Sequence, residues 1–322
     1  MKLVFAGALM VMGLAAAGAL AQSAAPSATP GSAATPLPDW AYPANPPIAD
    51  FDAKEEKSLP GSSRKYTQAQ VENDFAPPDW FPDDHPPMPS VVANGRPPAV
   101  KACSKCHVTT GGGHPESSDL AGLPEAYIVR QMADFKDGHR KGARAGSMFP
   151  IAKAVTDDEV REAAKYYAAL PRPAWNKVVE TDTVPKTELR VGGMRFPIDG
   201  SEPIGSRIIE LPQAPERAHL RDSRFGFVAN VPVGSVARGE ALVKGGSGQT
   251  QPCATCHGPD LKGISEVPHL TGRSPMYVFR QLNDIKIGTR SGANAELMQP
   301  VVAKLSQDDM LAIAAYLATL SP

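Results

Sequence analysis

The sequence carries almost no net charge and few cysteines. Lysine and arginine together number 33, against 34 aspartate and glutamate residues, which gives a formal net charge of -1. A nucleic-acid-binding chain would show a clustered basic excess, so this balance gives no support to that class of protein. The four cysteines all lie in two short stretches, which leaves none over for a disulfide framework.

Proline, in contrast, is abundant, at 33 of 322 residues, and much of it falls in the first hundred positions. Residues 22–88 are therefore predicted to form a Pro-rich arm that is extended rather than packed. The arm contains two similar stretches, Pro38-Asp39-Trp40 before Pro46-Pro47, and Pro78-Asp79-Trp80 before Pro86-Pro87. The arm can be interpreted as a disordered linker, or as extended strands whose tryptophans anchor on a surface, and the sequence favours neither.

The N-terminus has the pattern of an export signal. Lys2 precedes an uncharged run over residues 3–21, which ends in the small-residue cleavage pattern Ala19-Leu20-Ala21. We expect a signal peptide over residues 1–21, cleaved after Ala21. The run is just long enough to span a bilayer, so an uncleaved anchor is the alternative.

The two cysteine stretches belong to an internal repeat. When CSKCH (103–107) is aligned with CATCH (253–257), the offset is 150, and it holds without gaps to Leu170 and Leu320. Of these 68 aligned positions 24 are identical, against about one in twenty for unrelated sequences. One domain is therefore used twice. The predicted domains are residues 89–171 and 236–322, with an inter-domain segment over residues 172–235.

Each copy has a helical pattern. The last helix of the first copy opens with a capping box, Thr156-Asp157-Asp158-Glu159, and carries an apolar stripe from Val160 to Tyr167; the second copy repeats this from Ser306. A helix over residues 66–75 is expected to cover that stripe in the first copy. The fold class is predicted to be all-α, with the extended arm and an irregular, partly β inter-domain segment, whose strand-like pieces are residues 175–184, 207–211 and 225–233.

C-x-x-C-H is the attachment signature of a c-type haem. The two thiols add to the porphyrin vinyl groups as thioethers, and the next residue places an imidazole below the iron. A zinc site would need two neighbouring cysteine pairs, but these pairs lie 150 residues apart in separate copies. A thioredoxin-type motif expects a βαβ context, whereas these stretches lie in a helical one. Haem is the favoured interpretation.

A methionine follows each motif at the same distance. Met148 lies 41 residues after His107 and Met298 lies 41 residues after His257, each in a Met-x-Pro stretch predicted to be a loop. Methionine opposite histidine is the electron-transfer arrangement of haem iron, so these two are the predicted sixth ligands. His114 and His139 have no counterpart in the second copy and are expected at the surface.

Each copy resembles the class I cytochromes c, and the pair resembles the periplasmic diheme cytochromes of the c-four type. The resemblance is carried by C-x-x-C-H, Leu120-Ala121-Gly122, Arg130-Gln131, Gly138-x-Arg140 and Met148-x-Pro150, and by their counterparts in the second copy. It implies two covalent haem c groups that approach each other across a pseudo-twofold interface. It implies the following roles: Cys103, Cys106, Cys253 and Cys256 as thioether positions, His107 and His257 as proximal ligands, and Met148 and Met298 as distal ligands.

The expected function is electron transfer in the periplasm without enzymatic activity, as a soluble carrier or as the electron-accepting subunit of a dehydrogenase or respiratory complex. Expected partners are redox proteins, namely a periplasmic dehydrogenase, an oxidase or another cytochrome. No nucleic acid is expected, and a membrane only through a retained signal segment or a membrane-bound partner. The alternative is a diheme peroxidase-like enzyme with one open haem. Arg130, Arg140, Arg280 and Arg290 are assigned to haem propionates or to the domain interface, and a solvated helix face is an equal alternative for each of them.

Overall fold

The structure is a computed structural model, and it describes Met1, residues 37–44, residue 46 and residues 51–322. The predicted signal peptide, apart from Met1, lies outside the described residues. Residues from Leu37 to Pro322 make up one compact unit. Within the part of the chain that is described, no helix is long and apolar enough to cross a membrane.

The described part of the Pro-rich arm packs against the rest of the chain. It contains a hairpin of β1 (Glu56–Ser58) and β2 (Lys65–Thr67), followed by α1 (Gln68–Glu72), which Thr67 caps. The indole of Trp80 is 3% exposed and donates to the carbonyl of Leu220 at 2.6 Å. The Trp40 ring packs on Phe279, with 4.6 Å between centroids. Both tryptophans therefore anchor the arm on a surface of the chain itself, but the prediction of an arm that is extended rather than packed is wrong for its described part, which forms a hairpin and a helix.

The first copy is a set of short helices around one core. Its helices are α2 (Ser90–Ala93), α3 (Ser104–His107), α4 (Glu125–Lys136), α5 (Met148–Ala154) and α6 (Asp157–Ala168). The predicted capping box of α6 is present: the Thr156 hydroxyl accepts from the Glu159 amide, and the Glu159 carboxylate accepts from the Thr156 amide.

The cover of α6 differs from the prediction. Its buried face packs in one cluster with Val91 and Val92 of α2, not with residues 66–75. The physical reason is that these two adjacent valines are fully buried, whereas α1 buries only Val71, which joins a separate cluster with Trp80.

The inter-domain segment folds into sheets. Its elements are β3 (Asn176–Glu180), β4 (Thr183–Leu189), β5 (Arg195–Pro203), β6 (Ile209–Pro212), α7 (Pro215–Ala218) and β7 (Phe227–Val231). Strand β7 is central, parallel to β3 and antiparallel to β6, while β4 and β5 form an antiparallel hairpin.

The predicted all-α class is wrong. Of the residues that the structure describes, 37% are helical and 16% lie in strands, in three sheets. The three strand-like pieces of the inter-domain segment do form strands, but β5, most of β4 and the hairpin of the arm were not expected. Alternating apolar residues bury one face of β7, with Phe227, Ala229 and Val231 inside, so the sheets are a folded layer and not an irregular connection.

The second copy repeats the helical order of the first. Its helices are α8 (Ser235–Gly245), α9 (Ala254–His257), α10 (Pro275–Lys286), α11 (Ala293–Glu296), α12 (Gln299–Val302) and α13 (Gln307–Thr319). Helix α8 lies so close to α13 that a Cβ at Gly239 would overlap the carbonyl of Ala312. Glycine is required there for the approach of the two backbones.

Candidate functional site

The first C-x-x-C-H motif lies on the wall of a cavity of about 470 Å³. Cys103, Cys106, His107 and Met148 all line it, although they come from distant parts of the chain. Met148 is the first residue of α5 rather than part of a loop. The rest of the lining is largely apolar and includes Leu120, Leu123, Ile128, Phe135 and Ile151. The structure thus brings the four predicted site residues of this copy to one enclosed space.

The two motif histidines form hydrogen bonds with backbone carbonyls at equivalent positions of the repeat. The Nδ1 atom of His107 lies 2.7 Å from the carbonyl of Ser118, and that of His257 lies 2.8 Å from the carbonyl of Pro268, the aligned position. A carbonyl can only accept, so Nδ1 carries the proton and Nε2 keeps its lone pair for a metal. Burial lowers the pKa of both imidazoles, which favours the neutral form that metal binding needs.

In the second copy, the predicted residues pack on one core. His257 is buried, and Cys253 and Met298 lie against the same apolar cluster, which includes Leu311 and Tyr316. Met298 directly precedes α12, as Met148 opens α5 in the first copy. All four cysteines are free thiols, so each is available for a thioether bond.

These residues fit a covalently attached haem. Each copy offers two free thiols, a neutral imidazole with Nε2 available and an apolar surround. Positive charge is concentrated near Tyr277: burial raises the pKa of its phenol, but Arg140, Arg273 and Arg290 outweigh burial and bring the pKa to about 7. Such a region suits a group that carries carboxylates, as haem does through its propionates. When bound, haem supplies iron that gains or loses one electron.

The two copies meet through residues at identical aligned positions. The guanidinium of Arg140 donates to the Tyr277 hydroxyl and to Gln281 Oε1, both at 3.0 Å. Arg290 makes the equivalent hydrogen bonds in the opposite direction, since its guanidinium donates to the Tyr127 hydroxyl at 3.0 Å and to Gln131 Oε1 at 2.9 Å. The main chains of Arg140 and Arg290 also form an isolated antiparallel bridge. The repeat therefore has a pseudo-twofold axis at this point.

A second matched pair spans the same interface. Arg130 binds Glu266 at 2.7 Å, and at the equivalent positions Arg280 binds Glu116 at 2.8 Å. The environments of the two pairs differ. The side chains of Arg280 and Glu116 are 3% and 6% exposed, while those of Arg130 and Glu266 are 24% and 57% exposed. The four arginines assigned earlier to propionates or the domain interface thus all bind across the interface.

The interface also needs two glycines. A Cβ at Gly142 would overlap the Asp284 carboxylate, and a Cβ at Gly292 would overlap that of Asp134. These four residues are again equivalent pairs in the repeat. In each copy an aspartate therefore packs against a glycine of the other copy, where any larger residue would overlap it.

One charged cluster involves a pair of aligned positions at which the two copies carry different residues. Asp119 and His269 occupy the same aligned position, and His269 Nε2 lies 3.6 Å from Asp119 Oδ2. Arg273 also binds Asp119, at 2.9 Å. Burial raises the pKa of Asp119, but Arg273 and His269 outweigh it and bring the pKa to about 2. The carboxylate is therefore ionised and joins the two copies.

The inter-domain segment packs against the three glycines that follow the first motif. The indole of Trp175 lies against Gly112, where a Cβ would be 2.9 Å from the ring, and Nε1 donates to the Gly113 carbonyl at 3.2 Å. His114, expected at the surface, is half-buried and lines the first cavity. Its Nδ1 accepts from the Glu116 amide at 3.2 Å.

Comparison with known proteins decides the family. A sequence model of the cytochrome c family matches residues 236–321. A thiosulfate dehydrogenase electron acceptor of Thiomonas intermedia is 30% identical over 232 residues, 70% of this chain and 82% of that protein. The chain belongs to the diheme c4-type cytochromes.

Two further relatives agree with this. Cytochrome c4 of Pseudomonas aeruginosa is 28% identical over 67% of this chain and 82% of its own length. A thiosulfate dehydrogenase electron acceptor of Stutzerimonas stutzeri is 27% identical over 70% of this chain and 82% of its own length. As a c4-type cytochrome, the chain is an electron-transfer protein with two covalently bound haem c groups. The expectations of the family, the cofactor and the electron-transfer function are confirmed.

Several residues that shape this c4-type cytochrome were not anticipated from the sequence. Trp175, Glu210 and Arg172 belong to the inter-domain segment or its start, and Arg172 binds Thr271 of the second copy. The Glu210 carboxylate accepts from the Met276 amide at 2.7 Å and from the Ser274 hydroxyl, at the start of α10. The only sequence signal of Trp175 and Glu210 is an aromatic or acidic residue inside a strand-like piece, which is too common to single them out, and Arg172 has no such signal.

Proposed function

We propose that this cytochrome works in the periplasm, where it accepts electrons from a dehydrogenase and passes them on to another redox protein. Two relatives are named as electron acceptors of thiosulfate dehydrogenase, so such an enzyme is the proposed donor. We propose domains over residues 89–171 and 236–322, after a signal peptide over residues 1–21 and an arm over residues 22–88. Residues 172–235 connect the two domains along the chain.

The proposed roles of the site residues follow the repeat. Cys103 and Cys106 hold one haem, and Cys253 and Cys256 hold the other. The iron would be held by His107 with Met148 in one copy and by His257 with Met298 in the other. The backbone carbonyls of Ser118 and Pro268 accept from Nδ1 of the two histidines, which leaves each Nε2 free to bind a metal.

The observation that carries the proposal is the direct, matched contact of the two copies. Arg140 and Arg290 each bind a tyrosine and a glutamine of the opposite copy, which holds the two sites in one fixed arrangement. A fixed arrangement suits a protein that takes up one electron at a time and moves it between two centres. With methionine at both distal positions, neither centre leaves a position free for a substrate, so we propose no enzymatic activity.

A reduction assay with the full chain, both haems attached, tests the proposal. Oxidised protein is mixed with catalytic thiosulfate dehydrogenase and thiosulfate, and its haem absorbance is followed. We expect full reduction of two haems per chain, and none when the enzyme or thiosulfate is omitted. Failure of the enzyme to reduce a protein that dithionite does reduce would rule out this donor. Rapid turnover of hydrogen peroxide by the reduced protein would instead support the peroxidase-like alternative.

A further inference from the structure

The two C-x-x-C-H motifs differ in how much of each is open to solvent. In the first copy Ser104 and Lys105 are 4% and 5% exposed. At the matching region of the second copy, Thr255 and Cys256 are exposed, and so are most residues from 259 to 266. The two motifs form equivalent short helices with equivalent histidine hydrogen bonds, so we attribute the difference in exposure to what the rest of the chain places on them.

The first motif is enclosed by the chain's own added segments. Lys105 Nζ donates to the carbonyl of Val71 in the arm at 3.0 Å. The guanidinium of Arg221, from the inter-domain segment, donates to the carbonyl of Lys105 at 2.8 Å. Trp175 then covers the following loop at Gly112. Residues of the arm and of the inter-domain segment therefore cover Ser104, Lys105 and Gly112, where a protein partner would otherwise contact the first copy.

Two large apolar side chains are exposed beside the proposed haem-binding residues of the second copy. Ile264 is 52% exposed, and its side chain would lie 3.1 Å from a Cβ at Gly258, directly after His257. Leu297, which precedes Met298, is 74% exposed. Their counterparts in the first copy are His114 and Ser147. Among the described residues of 89–171, no large hydrophobic side chain is exposed to a comparable degree.

The charge of this face is low. Its charged residues are Asp260, Lys262 and Glu266, with Glu296 exposed beside Leu297, and Glu266 is already paired with Arg130. The remaining two acids and one base leave a net charge of only -1. A surface of this kind suits a partner whose own contact face is apolar and weakly charged, and its association depends little on salt.

Resting on the proposed electron-transfer function, we propose that residues 252–266 with Leu297, here called the open motif face, are where a redox protein partner docks, so that electrons enter and leave through the second copy. The partner is a redox protein with an apolar, weakly charged rim around its cofactor. In the exchange one electron leaves the reduced partner and enters the cytochrome. The partner is oxidised and the cytochrome reduced by one electron, and no bond forms or breaks. The first copy exchanges electrons only with the second, across the Arg140–Arg290 interface.

Matched charge insertions test this docking face. The probe is reduced azurin, a blue-copper protein, mixed in a stopped-flow instrument with the fully haem-loaded, oxidised cytochrome. We expect Leu297→Lys and Ile264→Lys to lower the second-order rate constant about tenfold, since a buried charge must be desolvated in the complex. Ser147→Lys, at the aligned position of the first copy, and Ile198→Lys, on the exposed side of β5, are expected to leave it unchanged.

A second readout does not depend on electron transfer. Hydroxyl-radical footprinting of the cytochrome with and without azurin is expected to show protection at Ile264 and Leu297, but not at Ile198. Equal rate effects of Ser147→Lys and Leu297→Lys, or protection on the first copy alone, would overturn the assignment. So would unchanged rates in all four variants. Reduction by azurin with the expected variant pattern, but none by thiosulfate dehydrogenase, would reject the proposed donor and leave the docking face standing.

Discussion

Arg140 and Arg290 sit at the same position of the two copies, and each binds a tyrosine and a glutamine of the other copy. Each also binds the glutamine of its own copy, at 3.0 Å. Gln131 and Gln281 are therefore shared acceptors, and the two arginines act on common partners. This coupling makes the interface testable by paired substitutions.

We expect Arg290→Lys to lower the free energy of unfolding by about 2 kcal/mol, because lysine cannot reproduce the fork that reaches Tyr127 and Gln131 together. Arg140→Lys is expected to cost a similar amount. The double variant is expected to lose less than the sum, since the two share acceptors. Urea unfolding of the haem-loaded chain measures all three, with Arg161→Lys, in an exposed pair, as the control. Strict additivity would argue against a shared network.

Alanine at the interface glycines is expected to separate the copies. The new Cβ of Gly142→Ala would overlap the Asp284 carboxylate, and that of Gly292→Ala would overlap Asp134. We expect each variant to lose about 1–3 kcal/mol in urea unfolding, as overpacked positions do. Gly146→Ala is the matched control, because no atom lies within 4 Å of its added Cβ. If Gly146→Ala is as harmful as Gly142→Ala, the close approach is not the cause.

Loss of either proposed distal ligand is expected to change only its own centre. Met148→Ala or Met298→Ala should lower the reduction potential of one haem and allow cyanide or carbon monoxide to bind it, since methionine ligation raises the potential. Potentiometric titration and ligand-binding spectra measure both effects. Met132→Ala serves as the control, because its aligned partner is Leu282, an apolar residue that cannot ligate iron. Wild-type potentials and spectra in both ligand variants would refute the axial assignment.

Glu210 predicts a pH dependence of stability. Burial raises the pKa of its carboxyl from about 4.5 to about 7, although Met276 and Ser274 donate to it. The folded state therefore binds the proton more tightly than the unfolded state does. Its contribution is fully present below about pH 4.5 and is lost as the pH rises to about 7, where the loss reaches about 3 kcal/mol. Above pH 7 the contribution stays constant.

Glu210→Gln removes this titration and keeps the size of the side chain. We expect the difference in unfolding free energy, variant minus wild type, to grow in favour of the variant between pH 4.5 and 7 and then to level off. Urea unfolding at a series of pH values measures it. Glu180→Gln, at an exposed strand end, is the control. A difference that does not change with pH would show that the carboxyl does not titrate in this range.

The sequence was sufficient for the chemistry and for the repeat. Two C-x-x-C-H motifs at one offset, each followed by Met-x-Pro, led to two haem c groups and to the family. The interface was harder to predict, although its residues were visible. Tyr127, Gln131 and Arg140 recur at the same offset whether they face a cofactor or the other copy, so recurrence alone does not say what they touch.

The fold class could not be predicted because the sheets of the inter-domain segment depend on pairing between strands that are distant in the sequence. Its strand-like pieces were recognised, but isolated pieces do not reveal that β7 pairs with both β3 and β6. A short sequence such as Val91-Val92 also does not show that it, rather than the longer segment 66–75, will pack on α6. In both cases the structure is determined by packing between residues that are distant in the sequence, and local secondary-structure propensity carries no information about such packing.

The enclosure of Lys105 has a consequence for the order of maturation. The proposed thioether positions Cys103 and Cys106 flank Ser104 and Lys105, which are almost fully buried in the finished fold. Part of that cover, including Arg221, comes from more than a hundred residues further along the chain. We therefore expect the first haem to be attached before the arm and the inter-domain segment close, whereas Thr255 and Cys256 of the second motif are exposed in the folded chain.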